Sequence, residues 1–160
     1  MLKKFALALP LVVLSGAAFA ADDARTSINI TAEIPSKIFH AMPRDPNFGK
    51  DERMTYSLVN GTLSNVQATY DVRHTMGWVE AYIDGGPAVL FNGDTTKNIP
   101  LTTTFNGVVL TGTPKKVVED DESNGGVAAQ LVVSAAKPTN DQVGNYSGNF
   151  TVIFDAVPRV

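Results

Sequence analysis

From residue 27 onward, apolar and polar side chains alternate in a series of short runs. A period of two puts successive residues on opposite faces of a strand, one face buried and one wet. Residues 27–34 place Ile28, Ile30, Ala32 and Ile34 on one face, with Asn29, Thr31 and Glu33 on the other. Pro35 closes that run because it has no N–H to give to a sheet ladder. Residues 65–73 are as regular, with Val66, Ala68, Tyr70 and Val72 set against Gln67, Thr69, Asp71 and Arg73. Residues 78–83 predict a further strand. Residues 100–111 predict a hairpin: Leu101, Thr103 and Phe105 precede Asn106-Gly107, and Val108 and Leu110 follow it. Asn-Gly suits a two-residue turn because both residues tolerate positive φ. Residues 129–134 and 147–156 complete the strong runs, the last with Phe150, Val152 and Phe154 facing inward. Shorter strands are expected at 37–42, 54–59 and 89–91, and long loops at 43–52 and 118–126. About eight or nine short strands with turn residues between them predict an all-β sandwich, and no stretch holds a helical period.

The first 20 residues follow a different pattern. Lys3-Lys4 precede an apolar run over residues 5–14, and Ala18-Phe19-Ala20 offers the small-x-small pattern of a signal-peptidase site. The run is shorter than the roughly 20 apolar residues a membrane span needs. Residues 1–20 are therefore expected to be a signal peptide, leaving 140 of the 160 residues as the mature chain. That is enough for one domain with one core. No membrane span is expected in the mature chain.

Cleavage sharpens the charge. It removes two of the 13 basic residues and none of the 16 acidic ones, so the net charge moves from -3 to -5. Such a surface does not suit nucleic acid, whose phosphates call for a basic face. The chain has no cysteine. Small exported domains commonly use disulfides to supplement a limited core, so this one is expected to find stability elsewhere, one candidate being a partner chain.

Candidate chemistry is sparse. His40 and His74 have no further ligands at matched spacing, and no cofactor, metal or catalytic site is expected. The acidic run Glu119-Asp120-Asp121-Glu122 lacks the alternating ligands of an EF-hand and suits a solvated loop. No Gly-x-Ser-x-Gly elbow or glycine-rich phosphate loop occurs, and the chain is expected not to be an enzyme.

The segment with a mechanism is the start of the mature chain. Residues 21–26 form a short polar leader, directly followed by the cleanest alternating strand in the sequence. A terminal strand behind such a leader can leave its own domain and pair with another molecule. Main-chain bonds then give affinity and alternate side chains give specificity. Taken alone, the pattern favours pairing within its own sandwich.

Three stretches resemble the major fimbrial subunits of the colonization factor antigen I family, the class 5 or alpha fimbriae of Gram-negative bacteria. Ile28-Asn29-Ile30-Thr31-Ala32-Glu33-Ile34-Pro35 is similar to that family's Ile-Thr-Val-Thr-Ala-Ser-Val-Asp-Pro start, with Ile34 where the family has Asp. Met54-Thr55-Tyr56-Ser57 is followed at similar spacing by the 66–73 strand. Leu131-Val132-Val133-Ser134-Ala135-Ala136-Lys137-Pro138 precedes Gly144-Asn145-Tyr146-Ser147-Gly148 and a closing apolar strand. Residues 37–45 depart from the family's Leu-Leu-Gln-Ala-Asp-Gly type.

The resemblance implies an immunoglobulin-like β-sandwich that lacks its last strand and is completed by an N-terminal donor strand from a neighbouring subunit. Residues 21–35 would be leader and donor strand, with Ile28, Ile30, Ala32 and Ile34 entering the neighbour's groove; residues 36–160 would be the pilin body. The implied partners are identical subunits head-to-tail, a periplasmic chaperone, an outer-membrane usher and a tip adhesin. The implied location is a fimbria on the cell surface, supporting adhesion to host surfaces. The competing expectation is a monomeric secreted or periplasmic β-sandwich binding protein, such as a carbohydrate-binding module. Trp78, Tyr56, Tyr70 and Tyr82 would be its stacking platform.

Overall fold

A computed structural model describes residues 27, 28, 30–32, 34 and 38–160. The expected signal peptide and residues 21–26 lie outside the described residues. Residues 1–33 and 34–160 form separate units; the second carries the fold.

Among the described residues eleven strands build that body: β1 (Phe39–Pro43), β2 (Tyr56–Ser57), β3 (Thr62–Leu63), β4 (Val66–His74), β5 (Gly77–Ile83), β6 (Val89–Leu90), β7 (Ile99–Phe105), β8 (Val108–Val109), β9 (Lys115–Val118), β10 (Val127–Ala135) and β11 (Val152–Pro158). The large sheet runs β1-β4-β10-β7-β6, with β8 also paired to β7, and the small sheet runs β11-β5-β9. β2 and β3 form a separate hairpin. All named pairings are antiparallel, as hairpins and sandwich connections require.

The period of two becomes burial. β5 buries Gly77, Val79, Ala81 and Ile83, and turns Trp78, Glu80 and Tyr82 outward. β7 buries Leu101, Thr103 and Phe105, and β10 buries Ala129, Leu131 and Val133. These faces meet in one core, with Val72, Leu110, Val117 and Val118 beside them. Asn106 and Gly107 take φ of 48° and 79°, the turn expected between β7 and β8, which pair Phe105 with Val108. Gly77 is fixed by close approach: a Cβ there would lie 2.0 Å from the Val157 carbonyl oxygen of β11.

Three expectations need correction. The 118–126 loop contains a short helix, α1 (Asp120–Gly125), with Asp120, Asp121 and Glu122 in its first turn, where carboxylates complement the helix dipole. Its Ser123 is fully buried, and the hydroxyl lies 3.0 Å from the His74 carbonyl oxygen. The neighbouring His74 takes a structural place. It is buried at the end of β4, with Nδ1 3.0 Å from the Trp78 carbonyl oxygen and Phe39 edge-on to its ring. The last strand begins at Val152 rather than near 147; Ser147 makes one isolated bridge to Phe91. The strand expected at 54–59 shrinks to the two residues of β2, and Leu58 and Val59 stand in the turn beyond it. Among the described residues no helix is long and apolar enough to cross a membrane.

Candidate functional site

The two outer edges of the small sheet are β9 and β11. β11 bonds β5 along its length, from Val152 opposite Ile83 to Pro158 opposite Gly77. No described strand pairs its other edge. An edge strand presents a row of unpaired N–H and C=O groups, a template for another strand.

Next to the start of this strand lies a groove of about 1230 Å³. One wall is the inner face of the large sheet: Val66 and Tyr70 from β4, Leu101 from β7, Leu131 and Val133 from β10. These are inward-facing residues of the core, and here the edge of the core opens into the groove. The other wall is Phe150 and Val152, both half-buried. Residues 48–54 form one rim and residues 138–149 the other, while Tyr56 and Leu63 of the β2–β3 hairpin line the same opening.

Behind Tyr70 the wall is stiffened by aromatic contacts. The Phe154 ring centroid stands 4.8 Å from Phe105 and 5.6 Å from Tyr70, and Tyr70 is 5.5 Å from Phe105. Phe48 packs edge-on to Tyr70 from the rim. Burial pushes the Tyr70 phenol above its ordinary pKa of 10.0, so it stays neutral beside the groove. The site thus has apolar strand walls and polar rims, and it lies at the start of a strand with no described partner on one edge. Its chemistry suits an extended segment offering apolar side chains at alternate positions.

The four donor positions taken from the sequence, Ile28, Ile30, Ala32 and Ile34, lie outside any strand. All are exposed, the three isoleucines at 77, 85 and 90 %. The structure does not gather them into a site. Neither rim was visible as such in the sequence: 48–54 falls across a stretch read as a loop and the start of a short strand, and 138–146 is rich in turn formers and carries no alternation.

The aromatic platform of the competing reading is not assembled. Tyr70 packs in the core, Trp78 and Tyr82 face outward from β5, and Tyr56 stands on the separate hairpin. The Trp78 ring is taken up within its own sheet, donating to Glu80 at 2.9 Å and lying 4.9 Å beneath the Lys116 ammonium. The acidic run is tied locally, Glu119 to Lys116 and Asp120 to Arg159. Among the described residues no group of side chains is placed to hold a metal ion.

Comparison with known proteins bears on what such a body does. The chain is similar in fold to the CooA pilin subunit from enterotoxigenic Escherichia coli, with a TM-score of 0.60 and 17 % identity, over 74 % of this chain and 86 % of that one. At that identity the likeness establishes the immunoglobulin-like sandwich and no more. No curated protein sequence matches. The family model for the CS1 type fimbrial major subunit matches residues 24–155, and with so much of the chain covered the protein belongs to the CS1 type fimbrial major subunit family.

Proposed function

We propose that this pilin polymerises by donor-strand complementation, the segment 28–34 of one copy filling the groove of the next and completing the small sheet beside β11. The observation that carries the reading is the pairing of two opposite defects in one chain. The body has an apolar groove with an unpaired strand edge. The same chain has three large aliphatic side chains exposed at alternating positions. Each feature is unfavourable alone, and each is the remedy for the other.

The energetic scale supports coupled assembly. Burying Ile28, Ile30 and Ile34 at about 1.5–3 kcal/mol each amounts to roughly 5–9 kcal/mol before ladder bonds and ordering losses. A whole domain is stable by only about 5–15 kcal/mol. Donor and groove are different parts of the chain, so a contact between copies is head-to-tail and propagates into a filament. A periplasmic chaperone would cover the groove before assembly, an outer-membrane usher would exchange it for the donor, and a tip adhesin would end the fibre. The fibre would then stand on the cell surface.

The test is Ile30→Asp. A carboxylate at the middle of the donor face would be desolvated without a partner. The variant is expected to be exported normally across the inner membrane and to form no surface fibres. Wild-type fibre yield from Ile30→Asp overturns the reading.

A further inference from the structure

A second contact between consecutive subunits follows from the shortness of the chain between donor and body, and it rests on the donor-strand reading above. Only three residues, 35–37, separate Ile34 from Ile38, where the described body begins. Four residue steps reach no further than about 14 Å. With Ile34 seated in a neighbour's groove, the donor's own body must stand directly against the rim of that groove. Ile34 is the donor position nearest its own body, so it occupies the entrance whichever way the rest of the segment runs.

The two surfaces that meet there are identifiable. The root of the body, where the donor segment leaves, is the turn between β4 and β5: the Thr75 N–H donates to the Ile38 carbonyl at 2.9 Å. This turn presents Met76, 55 % exposed, next to the half-exposed Ile38. The entrance of the groove lies at the other end of β4, toward Val66, where Tyr56 and Leu63 of the hairpin line it. At the tip of that hairpin Leu58 and Val59 are 91 and 93 % exposed. Hairpin turns are ordinarily built from Gly, Asn, Asp, Pro or Ser. Here Asn60 and Gly61 supply the turn, with Gly61 at φ 65°, so the two aliphatics ahead of them are not needed to make it.

We propose that the Leu58–Val59 tip of one subunit seats against the Met76 turn of the next, a second copy of the same chain, as a body-to-body contact that fixes the angle between consecutive subunits. Charge agrees with this occupant. α1 packs against β4 and β5 at the root and exposes Asp121 and Glu122. The hairpin side carries Lys137, whose Cε lies 3.3 Å from where a Gly61 Cβ would stand. The rim loop is balanced, with Lys50 and Arg53 against Asp51 and Glu52, and at the root Arg159 is paired with Asp120 and bonded to the Thr75 carbonyl, so the complement is Lys137 against Asp121 and Glu122. The contact is heterologous, like the donor-strand contact it continues, and it repeats along the fibre.

The chain has no cysteine, so a pair of thiols reads the contact directly. Fibres of the full chain carrying Val59→Cys and Met76→Cys are expected to give a ladder of covalent oligomers well beyond dimers when treated with a short bismaleimide. Either single variant is expected to give no ladder. Normal fibres of the double variant without a ladder overturn the contact while leaving donor-strand exchange standing, since fibre yield reads the latter. Separately, fibres of Leu58→Asp/Val59→Asp are expected to dissociate in denaturant at least about ten-fold faster than wild type, the scale set by losing the burial of one or two aliphatic side chains. The mature variant should still bind a synthetic 21–36 peptide with wild-type affinity. Unchanged dissociation of those fibres likewise overturns the proposal.

Discussion

The two edges of the small sheet have opposite designs. β9 is four residues long, its register against β5 is broken by an irregularity between Val79 and Glu80, and it carries Lys115 and Lys116. Short length, a bulge and lysines are the means by which proteins keep an edge from recruiting another strand. The Lys115 ammonium further covers the edge by donating to the Val109 carbonyl at 2.8 Å. β11 is seven residues long, pairs β5 without interruption and has no lysine. Its Val152, Phe154 and Val157 stay only half-buried. One sheet thus has a closed edge and an open one, which makes the openness of β11 a feature of this sequence rather than a general looseness of small sandwiches.

The largest expected effect comes from giving β11 the defence that β9 has. Val152→Lys points an ammonium into the groove entrance beside Tyr70 and Leu131. Because Val152 is half-buried at an open edge, the side chain can swing outward and the body should still fold. Fibre assembly is expected to be lost, and binding of a 21–36 peptide to the mature subunit, read by fluorescence anisotropy, should fall below detection. If the variant assembles normally, β11 is not the edge that recruits the next strand.

Next comes the wall behind the groove. Phe154→Ala removes a ring that contacts both Phe105 and Tyr70. Because Phe154 is half-buried, the cost should sit near the lower end of the usual range for Phe→Ala, about 3 kcal/mol, as a shift of the urea midpoint. A loss as small as that of a surface substitution would mean that the rings near β11 touch without supporting it. A smaller effect is expected from undoing the guard on β9. Lys115→Val/Lys116→Val leaves the core unchanged but bares a second edge and removes the cation over Trp78. The folded subunit should associate laterally at high concentration, as measured by light scattering. Fully monodisperse behaviour would show that length and bulge alone keep that edge closed.

The same contrast explains what was legible in the sequence. Where a strand is paired on both sides, as β4 is by β1 and β10, alternation predicted the inward face: Val66, Ala68, Tyr70 and Val72 are half-buried or buried, while Gln67, Asp71 and Arg73 are exposed. The Asn106-Gly107 turn was equally readable, since positive φ there depends on two adjacent residues. Alternation carries no information about the identity of the partner, so residues 28–34 and β5 look alike in sequence, yet Ile28, Ile30, Ala32 and Ile34 are exposed while Val79, Ala81 and Ile83 are buried. The groove was illegible for the same reason: its walls come from β4, β7, β10 and β11, which meet only in space. α1 was missed because six residues, five of them carrying acidic or small polar side chains, are too few to display a helical period. Its hold is tertiary, through Ser123 buried against the β4–β5 turn.

The smallest expected effect lies on the opposite, solvent-facing side of the large sheet, and it sets the baseline for the others. Arg44, just after β1, donates to Asp71 Oδ1 from Nε at 2.9 Å and from Nη2 at 2.8 Å, tying the end of the outermost strand back to β4. That hydrogen bonding, with the charge of the guanidinium, holds the Asp71 carboxyl below its ordinary pKa of 3.8. A carboxyl with a lowered folded-state pKa contributes its stability above the ordinary value and loses it as the pH falls through the lowered one. Both side chains are more than half exposed, so solvent screens the pair strongly. Asp71→Asn should therefore leave the urea midpoint at pH 7 almost unchanged, and the difference from wild type should vanish in strong acid, where wild-type Asp71 is itself protonated. A large loss at pH 7 would mean that the β1 edge depends on this pair as heavily as β11 depends on its aromatic wall, and the distinction between a packed edge and a merely tethered one would fail.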